Sequence, residues 1–441
     1  MLIEFRVANY RSFRAEQVLS MVASPDKELP NNTFSVPALI RHQLLAAAVV
    51  YGHNASGKSN LLKAMQTAAR IVVRSARVSP TRELPIQPFR LDPAYGSNLP
   101  TRFGFAFVEE GTRYEYDFQL GKRKIHEERL VAWPKGLSRL LFERTWDTST
   151  DDYNWHFGTS YRGERQRLIE LTRPNALFLS VAAQFNHKQL TPVFNWFTKI
   201  MTLEPNDDRD LEFMAAVELA ESNEEDRLAE KLQTLLQVAD LGITRVVVEE
   251  RAVIQDAPDD DLPPEVRDAF KAFFAKLSES TKQDAKRLDI SLYHRTISGD
   301  DVVFRPEDES RGTMRLMAIG ARVLRALEKG GLLIVDELDA SMHPVLVRAL
   351  IQLFLSEASN PHQAQLIFNT HDTTLLDLKL FRRDQIWFVQ KDNSGASRVY
   401  SLLEYRARKG EALQKGYLEG RYGGIGIVDG IEWSMASHAE R

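Results

Sequence analysis

The chain has 441 residues, 43% of them apolar and 27% charged, with 57 basic against 61 acidic side chains for a net charge of −4. That length and composition suit two to three domain-sized units, or one large α/β unit with insertions, and leave no overall basic character, so nucleic-acid contact needs a local patch or a partner. The absence of cysteine excludes disulfides and cysteine-held metals and makes a reducing cytoplasm the natural compartment. No segment approaches the length of a membrane span, so no membrane partner is expected.

The opening "MLIEFRVANYRSF" alternates apolar and polar residues, so residues 1–22 are expected to form one or two strands, with no signal peptide ahead of them. "LLAAAVVYG" (44–52) is a continuous apolar run, the pattern of a buried parallel strand. "SNLLKAMQTAARIVVRSA" (59–76) has helical spacing. From 101 to 147 alternation returns, predicting an antiparallel meander with "EEGT" as a turn. Residues 163 to about 240 read as amphipathic helices, with "EPNDDRD" as a loop and 221–233 as an exposed charged face. "DLGITRVVVEERAVI" (240–254) reads as strand, "DAPDDDLPPEV" (256–266) as a solvated linker, and 264–285 as a charged helix. After "RLDISLYHRT" and "DVVFRP", both strand-like, helix and buried strand alternate: "TMRLMAIGARVLRALEKG", "GLLIVDE", "PVLVRALIQLFLSEA", "AQLIFNTHD" and "QIWFVQKD". Strand alternating with helix at both ends of the chain predicts one parallel sheet split by a long insertion.

Between the strand at 44–52 and the helix that follows, Gly52-His53-Asn54-Ala55-Ser56-Gly57-Lys58-Ser59 matches G-x-x-x-x-G-K-[ST]. Glycines let backbone N–H groups wrap a polyphosphate, and the helix start adds a positive dipole end. The candidate nucleotide contacts are Gly52, Asn54, Ala55, Ser56, Gly57, Lys58, Ser59 and Asn60. Lys58 is placed to reach the β- and γ-phosphates and Ser59 to ligate Mg²⁺. Such a loop needs a second metal carboxylate at the end of a neighbouring strand, and "GLLIVDE" supplies Asp336. Glu337, one residue on, is the candidate general base. "AQLIFNTHD" ends in His371, a candidate donor to the γ-phosphate. In "ESRGTMRL", Ser310 and Gly312 precede a helix, as at a second phosphate site; taken alone they are a plain N-cap. Gln87 in "PIQPFRLD" is either a metal-sensing glutamine or an ordinary loop residue.

In that order, phosphate loop, long insertion, signature serine, "DE" and terminal histidine resemble the ABC-type ATPase head of structural-maintenance-of-chromosomes and recombination-repair ATPases. "NYRSF" (9–13) ahead of "GHNASGKSNLL" is similar to that branch rather than to membrane transporters. The stretches "ALFLSVAAQFN", "ESRGTMRL", "VDELDASMHPVLVRALIQLF", "AQLIFNTHDTTLLD", "RRDQIWFVQKD" and "YLEGRYGG" resemble the bacterial RloA/AbiLi-like group of AAA-type ATP-binding proteins implicated in abortive infection. The resemblance implies an α/β fold: a split P-loop ABC-type head with an antiparallel β subdomain and a helical insertion. It divides the chain into 1–160 (head, N-terminal part), 163–285 (mostly helical insertion) and 286–441 (head, C-terminal part). It further implies ATP and Mg²⁺ as cofactors, ATP hydrolysis in a head-to-head homodimer, and Ser310 with Gly312 closing the partner's site. The signature departs from the family pattern: Glu309 replaces a leucine, Arg311 a glycine and Thr313 a glutamine, and His343 stands where many heads carry an aspartate. Asp339 is a candidate for that aspartate's role.

The expected biology is a gate for a separately encoded effector, such as a nuclease, in anti-phage defence. Only about fifty residues follow "QIWFVQKD", without a D-x-D cluster, so no Toprim nuclease of the overcoming-lysogenisation-defect type is expected on this chain. Two alternatives stand beside it: a repair-type ATPase acting directly on DNA, and a non-hydrolysing ATP-gated scaffold. Arg70, Arg74, Arg77 and Arg82 form either a nucleic-acid patch or a solvated helix end. The alternating aromatics Phe103, Phe105, Phe107, Tyr114, Tyr116 and Phe118 read as core rather than a base-stacking platform.

Overall fold

A computed structural model describes residues 1–203, 215–216, 228–239, 242–252, 286–405 and 412–424. The loop expected at 204–210, the linker at 256–266, the helix at 264–285 and most of the charged face at 221–233 lie outside them. The chain divides into two compact units, Met1–Glu204 with Ala326–Arg441, and Pro205–Arg325.

The first unit is built on two large sheets and one antiparallel pair, β3 (Thr33–Ser35) with β4 (Gln43–Leu45). Its central sheet runs in the order β11 (Ile200–Leu203), β15 (Leu332–Val335), β16 (Gln365–Asn369), β5 (Ala47–Tyr51), β17 (Ile386–Lys391), β18 (Ser397–Ser401). All neighbours are parallel except β17 and β18. β5, from the first part of the chain, pairs with Leu366–Asn369 on one side and Ile386–Phe388 on the other. Every residue of β5, β15 and β16 is buried, which explains their unbroken apolar runs. Helix α1 (Lys58–Arg74) packs against β11, β15 and β16, and the helix Pro344–Leu355 against β5 and β16.

The second sheet is antiparallel, ordered β10 (Asp152–Phe157), β9 (Arg139–Asp147), β8 (Ile125–Trp133), β7 (Thr112–Leu120), β6 (Thr101–Glu109), β1 (Leu2–Ala8), β2 (Gln17–Ser20). The β6–β7 turn holds Glu110 and Gly111 at φ of 47° and 71°, the left-handed pair that a two-residue type I′ turn demands. The meander aromatics face a core: Phe107 stacks on Trp196 with ring centroids 4.1 Å apart. Both sheets share one hydrophobic core with α1 and with residues 168–197. The segment 163–203, expected in the insertion, therefore belongs to the first compact unit. It contributes α3 (Gln166–Leu171), α4 (Phe178–Gln184), α5 (Thr191–Thr198) and strand β11. The short helix Pro93–Asn98 (α2) caps a loop near β1, where Asn9 Nδ2 donates to Leu99 O at 2.7 Å.

A buried ion pair joins the meander to α4. Glu128 and Arg144 have no exposed side-chain surface and meet at 2.8 Å. Glu128 also accepts from Tyr116 Oη at 2.8 Å and from the α4 N–H groups of Phe178 and Leu179 at 2.8 and 3.0 Å. The carboxylate thus sits at a helix N-terminus with its lone pairs filled, the condition under which a buried charge is tolerated. Ser180 Oγ in turn donates to Val72 O, tying α4 to α1.

In the second unit, β12 (Ile243–Ala252), β13 (Lys286–Arg295) and β14 (Asp301–Phe304) form an antiparallel sheet. The helices Leu228–Val238 and Arg311–Lys329 meet at Gly320, where a Cβ would stand 2.7 Å from Leu235. Among the described residues no helix is long and apolar enough to cross a membrane.

Truncating Glu128 strands the buried Arg144. We expect Glu128→Ala to lower the stability of the first unit by about 3–5 kcal/mol, read as a fall in urea midpoint. Arg144→Ala should cost a similar amount and the double variant less than their sum.

Candidate functional site: a phosphate loop at the ends of parallel strands

Parallel pairing puts the C-terminal ends of β15, β16, β5 and β17 at one end of the sheet, the place where open α/β sheets bind ligands. Gly52 follows β5, Asp336 and Glu337 follow β15, Thr370 and His371 follow β16, and Lys391 ends β17. A cavity of about 660 Å³ lies there, lined by Asn54 through Asn60 together with Glu337, His371 and Lys391.

The loop depends on conformations that side chains resist. Gly52 and Gly57 have φ of 156° and 116°. A Cβ on Gly52 would lie 2.3 Å from Val389 O, and one on Gly57 2.4 Å from Ser397 Oγ. Ala55 also takes a positive φ of 62°. β17 and β18 thus press on the loop from behind, and Ser397 Oγ donates to Ser56 O at 2.5 Å. The tail helix Leu413–Leu418 supports the same strand end, with the Tyr417 ring 5.7 Å from that of Tyr51.

Lys58 is 5% exposed, and its ammonium donates to Gly52 O at 2.7 Å and His53 O at 3.3 Å. Burial lowers its pKa, opposed by the nearby carboxylates of Glu337, Asp336 and Asp339. A cation held this way, on neutral carbonyls beside a cavity, is poised for an anion. Gly52 and Asp336 stand one contact behind the cavity wall.

Asn369 joins the carboxylate pair to the loop. Its Nδ2 donates to Asp336 Oδ1 at 2.6 Å and lies 3.5 Å from Ser59 Oγ. Its Oδ1 accepts from Glu337 N–H. Glu337 is exposed, with its backbone at φ 55°. His371 is also exposed, and its backbone N–H donates to Asp339 Oδ2 at 3.2 Å. The structure therefore brings Lys58, Ser59, Asp336, Glu337 and His371 together. Ser59 and Asp336 offer hard oxygens, the donor type that Mg²⁺ takes. Among the described residues no cluster of three or more acidic or histidine side chains could hold a metal. Two such oxygens leave most positions of an octahedral ion to water or to a ligand's own oxygens.

Other expected residues stand elsewhere. Gln87 lines a neighbouring cavity of about 310 Å³ with Arg11, Ser12 and Arg90, which shares Asn60 and Lys391 with the first. Ser310 and Gly312 belong to the second unit. Ser310 Oγ accepts from Thr313 N–H at 3.1 Å, an N-cap on the helix Arg311–Lys329. The departure at Glu309 has a local partner, His294 Nε2 at 2.5 Å. His343 N-caps the helix Pro344–Leu355, its Nδ1 accepting from Val345 N–H at 3.3 Å.

The family model described as "AAA domain, putative AbiEii toxin, Type IV TA system" matches residues 47–377. The chain belongs to this family. In this AAA domain the matched span runs from β5 through the second unit to just beyond His371, so the whole candidate site except Lys391 falls inside it. Among solved structures, the AAA domain is similar to an SMC head bound to the C-winged helix domain of ScpA. There the identity is 14%, over 91% of this chain and 97% of that one, with a TM-score of 0.43. It is also similar to the SMC head domain from Thermotoga maritima, at 13% identity over 91% and 98% of the two chains and a TM-score of 0.39. No curated protein matches it.

Sequence reasoning missed Asn369 and Lys391. A polar residue inside a fully buried strand was the available signal for Asn369, because burying an amide is costly unless it is bonded. Nothing distinguishes Lys391 from other strand-end lysines.

Gly57→Ala tests the loop. A Cβ clash with Ser397 Oγ at a left-handed φ should distort the loop without touching the core. The expected result is a loss of affinity for a fluorescent ATP analogue of about tenfold or more, with the thermal midpoint nearly unchanged.

Proposed function

We propose that this AAA domain binds and hydrolyses ATP as an ABC-type ATPase. Two copies close head to head around the nucleotide, and closure gates a separately encoded effector in anti-phage defence of the abortive-infection kind. The observation that carries the reading is the convergence of Lys58, Glu337 and His371 on one cavity, with Asp336 linked to Ser59 through Asn369. In this reading the loop N–H groups of Asn54 to Ser59 cradle the phosphates, and Lys58 exchanges its carbonyl partners for phosphate oxygens. Ser59 and Asp336 would hold Mg²⁺, which would supply positive charge against the phosphates. Glu337, exposed on the cavity wall, takes the proton of the attacking water. His371 donates to the γ-phosphate, and Ser310 with Gly312 completes the site of the partner subunit. The second unit, Pro205–Arg325, passes the closure on. The family's description, with its toxin of a toxin–antitoxin system, supports a defence setting, and the RloA/AbiLi-like group is the branch we favour.

One observation favours a DNA-acting ATPase instead: Arg70, Arg74, Arg77 and Arg82 are all exposed. That reading requires turnover to rise with added DNA ends.

Steady-state ATP hydrolysis by purified protein separates these readings. Glu337→Gln should lower kcat by about 100-fold or more while keeping nucleotide affinity, and Lys58→Ala should lose affinity itself. Wild-type protein that binds ATP without turning it over would end the hydrolytic reading in favour of a scaffold, and turnover unchanged in Glu337→Gln would remove Glu337 as the general base. Tagged Glu337→Gln protein should also retain a neighbouring-gene product that Lys58→Ala does not.

A further inference from the structure

Asn369 is the last residue of β16 and is wholly buried. Its orientation is dictated by its partners. The Glu337 N–H can only donate and the Asp336 carboxylate can only accept, so Oδ1 faces the first and Nδ2 the second. The main chain adds a third bond, from Leu338 N–H to Asn369 O at 3.1 Å. One residue thus grips three consecutive positions of the turn after β15. That turn needs gripping, because Glu337 at φ 55° holds a left-handed backbone that L side chains resist. The same Nδ2 lies 3.5 Å from Ser59 Oγ, on the first turn of α1.

We infer that Asn369 is the positioning residue of the site. It aims the Asp336 carboxylate relative to Ser59 and holds the Glu337 backbone in the conformation that presents its side chain to the cavity. The inference rests on the reading of Ser59 and Asp336 as the Mg²⁺ pair. An apolar residue here would suit a buried strand equally well. The amide instead spends both ends of its side chain on the two acidic positions, and an outer-shell group of this kind commonly changes metal affinity 10- to 100-fold.

The test compares wild type with Asn369→Leu, which keeps the branched outline and loses both bonds, and Asn369→Ser, whose hydroxyl is too short to reach either partner. The readouts are thermal unfolding and the affinity for a fluorescent non-hydrolysable ATP analogue, measured once with Mg²⁺ and once with EDTA. The expected result is affinity in EDTA within about twofold of wild type, with the gain on adding Mg²⁺ reduced about tenfold or more. A purely structural asparagine predicts a lower unfolding midpoint with the Mg²⁺ gain intact in whichever variant folds, and that result overturns the assignment. Wild-type protein that binds no nucleotide overturns the ATP reading and this assignment with it. Wild-type Mg²⁺-dependent binding that the variants reproduce overturns the assignment alone.

Discussion

The structure depends on one strand pairing. β5 comes from the first part of the chain and lies hydrogen-bonded between β16 and β17 from the last. Without it the phosphate loop and the carboxylate pair are far apart in sequence and share no frame. With it, the parallel register places Gly52, His371 and the residues after Val335 at one end of one sheet. Loop-closure entropy grows only with the logarithm of length. Closing some three hundred residues rather than thirty costs about 2 kcal/mol more, which a few buried side chains of β5 offset. That arithmetic is why a whole second unit can sit within the chain between the loop and its carboxylates.

Strain gathers around the cavity. Gly52, Ala55, Gly57 and Glu337 all have positive φ, and the two glycines and Glu337 are held from outside their own segments. Val389 O and Ser397 stand behind the glycines, and Asn369 holds Glu337. Unfavourable backbone persists only where the surroundings over-determine it. Here the surroundings are three strands and a tail that pack as a buried block, so an arriving ligand meets a preformed loop. The aromatic stack of Phe388, Tyr417 and Tyr422 extends that block to the chain's last described residues.

Much of this was legible in the sequence, for physical reasons. Continuous apolar runs marked β5, β15 and β16 because both faces are covered. The loop motif marked its own helix, which begins at Lys58, one residue before the expected start. Alternation and the Glu110-Gly111 pair marked the meander. What escaped was what periodicity cannot carry. An amphipathic helix shows that it has a buried face and not which surface buries it, so helical spacing alone places α3 to α5 with the insertion although Leu168, Leu177 and Phe197 complete the core of the first unit. β11 is only four residues long and edges the sheet. The pairing of Glu309 with His294 and the grip of Asn369 on Asp336 are contacts between distant segments, which spacing alone does not encode.

The central claim is that one site, assembled from both ends of the chain, holds the phosphates of ATP. The structure of the Glu337→Gln protein with ATP and Mg²⁺ tests it most directly. The account predicts a triphosphate wrapped by Gly52 to Ser59, a metal between Ser59 and Asp336, and Ser310 of a second copy at the γ-phosphate. Nucleotide bound away from the loop, or a loop that stays empty with Lys58 still on Gly52 O at saturating ATP, would contradict it.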